Sequence, residues 1–266
     1  MTQIHLAKLM PAVVELAKLA GARIMEIYQQ DFDVIQKQDD SPVTIADMAA
    51  HAIIDDGLED IAGEFPVLSE ESTLIPFSDR IRWETYWLVD PLDGTREFIK
   101  RNGEFTVNIA LIHNHQPILG SIYVPVTGVS YYAANNLGAF KQERNGDAHP
   151  IQVSKQRRDK VIIAGSRSHQ TPDFTQFLKN IGEHELLSIG SSLKSCMVAE
   201  GKADIYSRLG PTSEWDTAAA HCIVEQAGGF LTDTNMQTLP YNTKESLLNP
   251  PFFVFGDSHV NWSDFL

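Results

Sequence analysis

Cysteine is scarce in this chain: Cys196 and Cys222 are the only two among 266 residues. That count excludes a disulfide framework. Both sit in apolar, helix-like surroundings and read as reduced core thiols. Long apolar runs are missing too, and no stretch approaches the roughly 18 residues that span a bilayer. The N-terminus lacks a basic start, an apolar core and a small-residue cleavage site, the marks of a signal peptide. No integral membrane segment is therefore expected. The expected location is the cytoplasm, with a peripheral place at the inner membrane as the other option. Positive charge is short as well: 21 Lys and Arg against 35 Asp and Glu give a net charge of −14. Such a balance disfavours nucleic acid as a partner. It still allows an anionic substrate, provided bound cations reverse the local sign. Repeats and low-complexity segments are also absent.

What is present has a clear rhythm. Leu9, Val13, Leu16, Ala20, Ile24 and Ile27 recur at helical spacing within residues 4–30. Ser41-Pro42-Val43-Thr44 then breaks the chain, and Thr44 can cap a second helix carrying Asp47, Ala50, Ile54 and Leu58. Strands are expected at 65–68, 86–89, 105–112, 118–124, 129–134 and 138–140, as antiparallel sheet flanked by helices. From about residue 160 strands alternate with helices: strands at 161–164, 186–189 and 203–206, helices at 172–180, 191–200 and 216–226. Gly228-Gly229 is a helix stop. This suggests two parts: 1–155, an α+β unit, and 156–266, an α/β unit.

The most informative stretch is Asp90-Pro91-Leu92-Asp93-Gly94-Thr95, directly behind the apolar run Tyr86–Val89. Two carboxylates cannot hold a phosphate alone, because like charges repel. Through Mg²⁺ they can, since that ion takes oxygen ligands and bridges carboxylate to phosphate. Gly94-Thr95 adds backbone N–H donors and a hydroxyl, which point at an anion if a helix starts there. Glu70, Asp216 and Asp47 join these as acids at the ends or first turns of expected elements. Each has a plainer reading. An Asp opening a helix is usually a cap, Ser-Glu-Glu after a strand is an ordinary solvated turn, and Asp, Pro and Gly are turn residues.

The residues from Trp87 to Thr95, with Trp215-Asp216-Thr217-Ala218-Ala219 downstream and Gly228-Gly229 closing that helix, resemble the inositol monophosphatase superfamily of lithium-sensitive, Mg²⁺-dependent phosphatases. The likeness covers essentially the whole chain. Ser69-Glu70-Glu71, residues 93–112, Ser166-Arg167-Ser168-His169 and Gly190-Ser191-Ser192-Leu193-Lys194 are closer to its bacterial 3'(2'),5'-bisphosphate nucleotidase branch. Arg96-Glu97 stand where inositol monophosphatases tend to carry Thr-Asn.

That resemblance implies a layered αβαβα sandwich of the inositol monophosphatase and sugar phosphatase type. It implies two or three Mg²⁺ ions bound by Glu70, Asp90, the carbonyl of Leu92, Asp93 and Asp216. Glu70, Asp47 and Thr95 would be catalytic, the last two as a pair that positions and deprotonates the attacking water. Gly94 and Thr95 would donate N–H groups to the phosphate. His169, Ser191 and Lys194 would meet the nucleotide, beside Glu70, Leu92, Asp93 and Asp216. On their own terms Ser191 could be a helix cap, Lys194 a solvated lysine and His169 a loop residue. His113, His115, His149, His184 and His221 show no metal-ligand spacing. The implied reaction is release of phosphate from a small phosphorylated nucleotide, adenosine 3',5'-bisphosphate, with its sulfated analogue 3'-phosphoadenylyl sulfate as a related substrate. The implied setting is sulfur assimilation, by a monomer or weak dimer. An inositol or sugar-phosphate phosphatase is the rival of the same class. A non-catalytic metal- or nucleotide-binding module is the rival of another.

Overall fold

Helix α1 (Leu6–Tyr28) buries Val13, Leu16, Ala17, Ala20, Ile24 and Ile27, one stripe at the three-and-four spacing of the helix. The computed structural model describes residues 4–30, 34–36, 42–72, 75–155, 158–166 and 171–266. After α1, the pair β1 (Val34–Gln36) and β2 (Pro42–Thr44) leads into α2 (Ile45–Ala62). Next come β3 (Val67–Ser69), the short α3 (Phe77–Arg80), β4 (Thr85–Asp93) and the short α4 (Thr95–Ile99). Five strands follow: β5 (Thr106–His113), β6 (Gln116–Val124), β7 (Val129–Ala134), β8 (Gly138–Gln142) and β9 (Ala148–Pro150). The rest runs β10 (Val161–Ser166), α5 (Pro172–Ile181), β11 (His184–Ile189), α6 (Leu193–Ala199), β12 (Ile205–Arg208), α7 (Glu214–Gln226), β13 (Phe230–Asp233) and β14 (Phe252–Phe255). A 3-10 turn, Trp262–Phe265, closes it.

Strands β3 to β9 form one seven-stranded sheet in sequence order. Only its β3–β4 pair is parallel; the remainder is the expected antiparallel sheet. The second sheet runs β11-β10-β12-β14-β13. Its first three strands are parallel, as alternation with helices requires, and β14 and β13 add antiparallel. Those two strands, with α3, α4, β1, β2 and β9, are beyond the expectations from sequence. They are short and carry little periodicity.

Three apolar clusters define five layers. Helices α1 and α2 cover one face of the large sheet through Trp87, Val89, Val107, Ile109 and Leu111. Helices α6 and α7 lie between the sheets, against Leu88, Ala110, Ile112 and Ile122 on one side and Ala164, Tyr206 and Val254 on the other. Helix α5 and the C-terminal turn cover the outer face of the small sheet around Phe177, Ile205 and Phe253. This is the αβαβα sandwich expected. A sheet covered on both faces needs strands apolar on both faces, and β5 is buried at every position but its last.

Helix α7 sits close to the large sheet because small residues face each other. A Cβ built on Gly120 of β6 would lie 2.2 Å from the carbonyl oxygen of Ala219. Ala218, Ala219 and Ala220 are all buried. Gly120→Ala is therefore expected to destabilise the fold by about 3 kcal/mol. The reading is a lower urea midpoint with unchanged slope; a midpoint equal to the parent's would mean that β6 and α7 part without strain.

Candidate active site

In a regular strand, residues three apart point to opposite faces. Asp90 and Asp93 do not. The register pairs Asp90 with Asn108 and Asp93 with Thr106, three steps on β4 against two on β5, with a bulge between. The extra residue restores the parity, so both carboxylates face the helical layer between the sheets. Tyr86 and Leu88 face that layer with Asp90. Trp87, Val89 and then Leu92 face the opposite cluster, which records the same phase shift. Pro91, which has no N–H to give a ladder, is tolerated at such a bulge. The turn closes with Leu92 N–H donating to Asp90 Oδ1 at 3.0 Å and Gly94 at φ 96°, where a Cβ would lie 3.1 Å from the Glu104 carbonyl oxygen.

Two other acids are set by capping boxes. Thr44 caps α2: its Oγ1 accepts from Ala46 N–H, and its N–H and hydroxyl donate to Asp47 Oδ2 at 2.8 and 2.7 Å. Asp47 Oδ1 is left for the Thr95 hydroxyl, from which it accepts at 3.2 Å. That hydroxyl also lies 3.4 Å from the Leu92 carbonyl oxygen. Ser213 caps α7 in the same way, and Asp216, the third residue of the helix, accepts from Ser213 N–H at 2.8 Å. Asp216 thus does serve in a cap, and its position gives it a second use. Glu70 follows β3, with its N–H donating to the Val89 carbonyl at 3.1 Å.

These elements bring one carboxylate oxygen each from Glu70, Asp90 and Asp216 within 4.8 Å of one another. Burial, and then the charges of Glu70, Asp93 and Asp216, push the Asp90 carboxyl well above the usual carboxylate range. Burial followed by the charges of Asp93 and Glu70 pushes Asp216 up to about 8. Burial likewise raises Asp47. Oxygen donors of one sign, crowded together and in mutual repulsion, fit a hard divalent cation such as Mg²⁺. Asp93 stands beside this trio. Its Oδ2 accepts from Ser192 N–H at 2.6 Å, and the Ser192 hydroxyl is 2.7 Å away.

The same cleft, of about 280 Å³, also holds basic groups. Lys194 and Arg208 line it with Ser191 and Tyr206, as do Gly94, Thr95 and the acids. Lys194 is buried, not solvated. Its Nζ donates to the Ser191 carbonyl at 2.6 Å and lies 5.2 Å from the centroid of the Tyr206 ring. Burial lowers this lysine to about 8, against the pull of Asp93, which leaves it cationic at neutral pH. Helix α6 begins later than expected. Ser191 has φ 46°, outside the helix, and Ser192 holds the capping position. The Ser191 hydroxyl is buried and has no hydrogen-bond partner among the described residues. His169 lies outside the described residues.

The chain matches the model of the inositol monophosphatase family over residues 5–254. The chain belongs to the inositol monophosphatase family. It is 52% identical over 244 residues to the 3'(2'),5'-bisphosphate nucleotidase CysQ of Salmonella typhimurium, covering 91% of this chain and 97% of that one. With the protein of the same name from Escherichia coli K12 the identity is 50% over the same spans. The crystal structure of CysQ from Bacteroides thetaiotaomicron superposes with a TM-score of 0.82 at 42% identity, over 95% of this chain and 98% of that one.

Within this family member, sequence reasoning missed Asn108, Ser192 and Arg208. Asn108 Nδ2 donates to Ser192 Oγ at 2.9 Å, and that oxygen lies 2.9 Å from the Asp216 carbonyl oxygen. Ser192 thereby ties Asp93 of β4 to the first turn of α7 that carries Asp216. A polar Asn inside the run Thr106–Ile112, and an Arg closing a second-half strand, were the available signals.

The raised acids make the site sensitive to pH. The folded protein keeps a proton on Asp216 up to about pH 8, whereas an unfolded Asp gives it up near pH 4. Between those values the metal-free fold loses stability as pH rises. A cation that replaces the proton restores it. Melting in EDTA is expected at lower temperature at pH 8 than at pH 6, with millimolar MgCl₂ raising it more at pH 8. Equal MgCl₂ shifts at the two pH values would exclude these acids as the binding site.

Proposed function

We propose that the protein is a Mg²⁺-dependent 3'(2'),5'-bisphosphate nucleotidase that hydrolyses adenosine 3',5'-bisphosphate to AMP and phosphate. 3'-Phosphoadenylyl sulfate is a related substrate, and sulfur assimilation in the cytoplasm is the setting. The observation that carries this is one cleft lined by both kinds of group: the acids Glu70, Asp90 and Asp216, and the cations Lys194 and Arg208. A substrate with two separate phosphates needs both. The names of its relatives support the same choice. A division of labour at about residue 155 follows, the acidic motif in 1–155 and the nucleotide side, with Asp216, in 156–266.

Glu70, Asp90, the Leu92 carbonyl, Asp93 and Asp216 would hold two or three Mg²⁺, which when bound supply positive charge to the phosphate and lower the pKa of a water. The remaining work falls to the chain. The amides of Gly94 and Thr95 bind phosphate oxygens at the start of α4. The Thr95 hydroxyl orients the attacking water, takes the proton that the water gives up and passes its own to Asp47 Oδ1, 3.2 Å away. A buried carboxyl with a raised pKa is a better base than an exposed one. Water attacks phosphorus in line with the departing nucleoside oxygen, and no phosphoenzyme forms. Lys194, with Ser191 and Arg208, grips the other phosphate through charge-assisted bonds.

Phosphate release measured side by side on adenosine 3',5'-bisphosphate and inositol 1-phosphate tests the substrate. The bisphosphate is expected to be strongly preferred and millimolar Li⁺ to inhibit. Preference for the inositol ester would favour the sugar-phosphate reading, and no release from either would favour a binding module. Lys194→Ala is expected to lower kcat/KM for the bisphosphate about 10- to 100-fold, and much less for a monophosphate. Equal losses on both would refute a role in selectivity.

A further inference from the structure

Asp216 reaches the cleft from the first turn of α7, so the placing of that turn sets the placing of its carboxylate. The turn is gripped from outside by a segment of the chain with no part in the cleft. Residues 247–249 run antiparallel to 212–214: Glu214 N–H donates to the Leu247 carbonyl at 2.8 Å, Ser213 bridges Leu248, and Asn249 N–H donates to the Thr212 carbonyl at 2.8 Å. The side chain of Asn249 closes the grip. Its Nδ2 lies 2.7 Å from the Ser213 carbonyl, 3.1 Å from Thr217 Oγ1 and 3.3 Å from Thr212 Oγ1. Ser213 caps Asp216, while Thr212 and Thr217 line the cleft on either side of it.

The gripping segment is itself anchored by buried polar groups. Asn242 N–H donates to Glu214 Oε2 at 2.8 Å, and Asn242 Nδ2 donates to the Arg80 carbonyl at 2.6 Å. The Arg80 guanidinium donates to Asn242 Oδ1 and to the carbonyls of Lys244 and Glu245. Arg80, Glu214 and Asn242 are almost completely buried. Residues 243–246 between these anchors are exposed, and Leu247 packs against the core between the sheets.

We propose that Asn249, seated by the buried Arg80–Asn242–Glu214 group, is a positioning residue that holds the first turn of α7 so that Asp216 meets Glu70 and Asp90, and so sets the cation affinity of the site. This rests on the reading of Asp216 as a cation ligand. Hydrogen-bonding partners behind a ligand affect affinity because they restrict where the ligand can point. The test is Mn²⁺ binding to the full chain without substrate, from the electron paramagnetic resonance of free Mn²⁺. It compares the parent, Asn249→Ala, Asn249→Ser and Asp216→Asn, with melting curves in EDTA alongside. Asn249→Ala is expected to raise the Mn²⁺ Kd about 10-fold, Asn249→Ser less, with KM for the bisphosphate at saturating cation unchanged. Parent-like Mn²⁺ binding by both Asn249 variants, with binding weakened in Asp216→Asn, would overturn the proposal, whatever the melting curves do. Parent-like binding by Asp216→Asn would overturn the ligand assignment as well. Should Asn249→Ala not fold, the milder Asn249→Ser decides alone.

Discussion

Repulsion between carboxylates crowded together at the buried floor of a cleft governs this molecule. Glu70, Asp90 and Asp216 bring oxygens within 4.8 Å of each other, with Asp93 close behind. Left to themselves, such groups would separate, take up protons or draw in water. The fold prevents separation, because each acid leaves a different rigid element and each element is pinned elsewhere. The raised carboxyl pKa values are the measure of that constraint. They are also the drive to accept a cation, which turns an unfavourable cluster into a binding site.

Each acid is held by an ordinary local device. A single extra residue in β4 turns Asp90 and Asp93 to one face. Capping boxes orient Asp47 and Asp216. The devices have a double use: Asp47 satisfies the backbone of α2 with one oxygen and meets Thr95 with the other. Ser192 joins β4 to α7 through Asp93 and the Asp216 carbonyl. The close approach of Gly120 to α7 lets that helix sit deep enough for the join. Stability and site geometry are therefore the same set of contacts here.

Much of this was legible beforehand. The α1 stripe, the Thr44 cap and the strand rhythm are local patterns, and the layered fold follows from them and from the motif resemblance. The hexapeptide from Asp90 to Thr95 suggested metal and phosphate chemistry, although its Asp, Pro and Gly suit an ordinary turn as well. Less legible were boundaries and roles. Residue spacing alone would place Asp90 and Asp93 on opposite faces, since a bulge leaves no pattern except Pro91. Lys194 read equally well as a solvated helix lysine. Its burial against Tyr206 depends on a strand whose partners come from the far end of the chain. Ser191 could be read as the cap of α6 until its left-handed backbone put the cap one residue later, at Ser192.

The residues themselves carry the chemistry: which groups can bind a hard cation, which can donate to phosphate, and which helices and strands form. Periodicity and capping act over a few residues, so they survive in the linear order. Which acids share a cation, which basic groups face them and what holds Asp216 in place are settled between segments far apart in the chain. Arg80 and Asn242, 162 positions apart, exchange hydrogen bonds in both directions. Such pairings depend on packing of whole layers, and no local pattern records them.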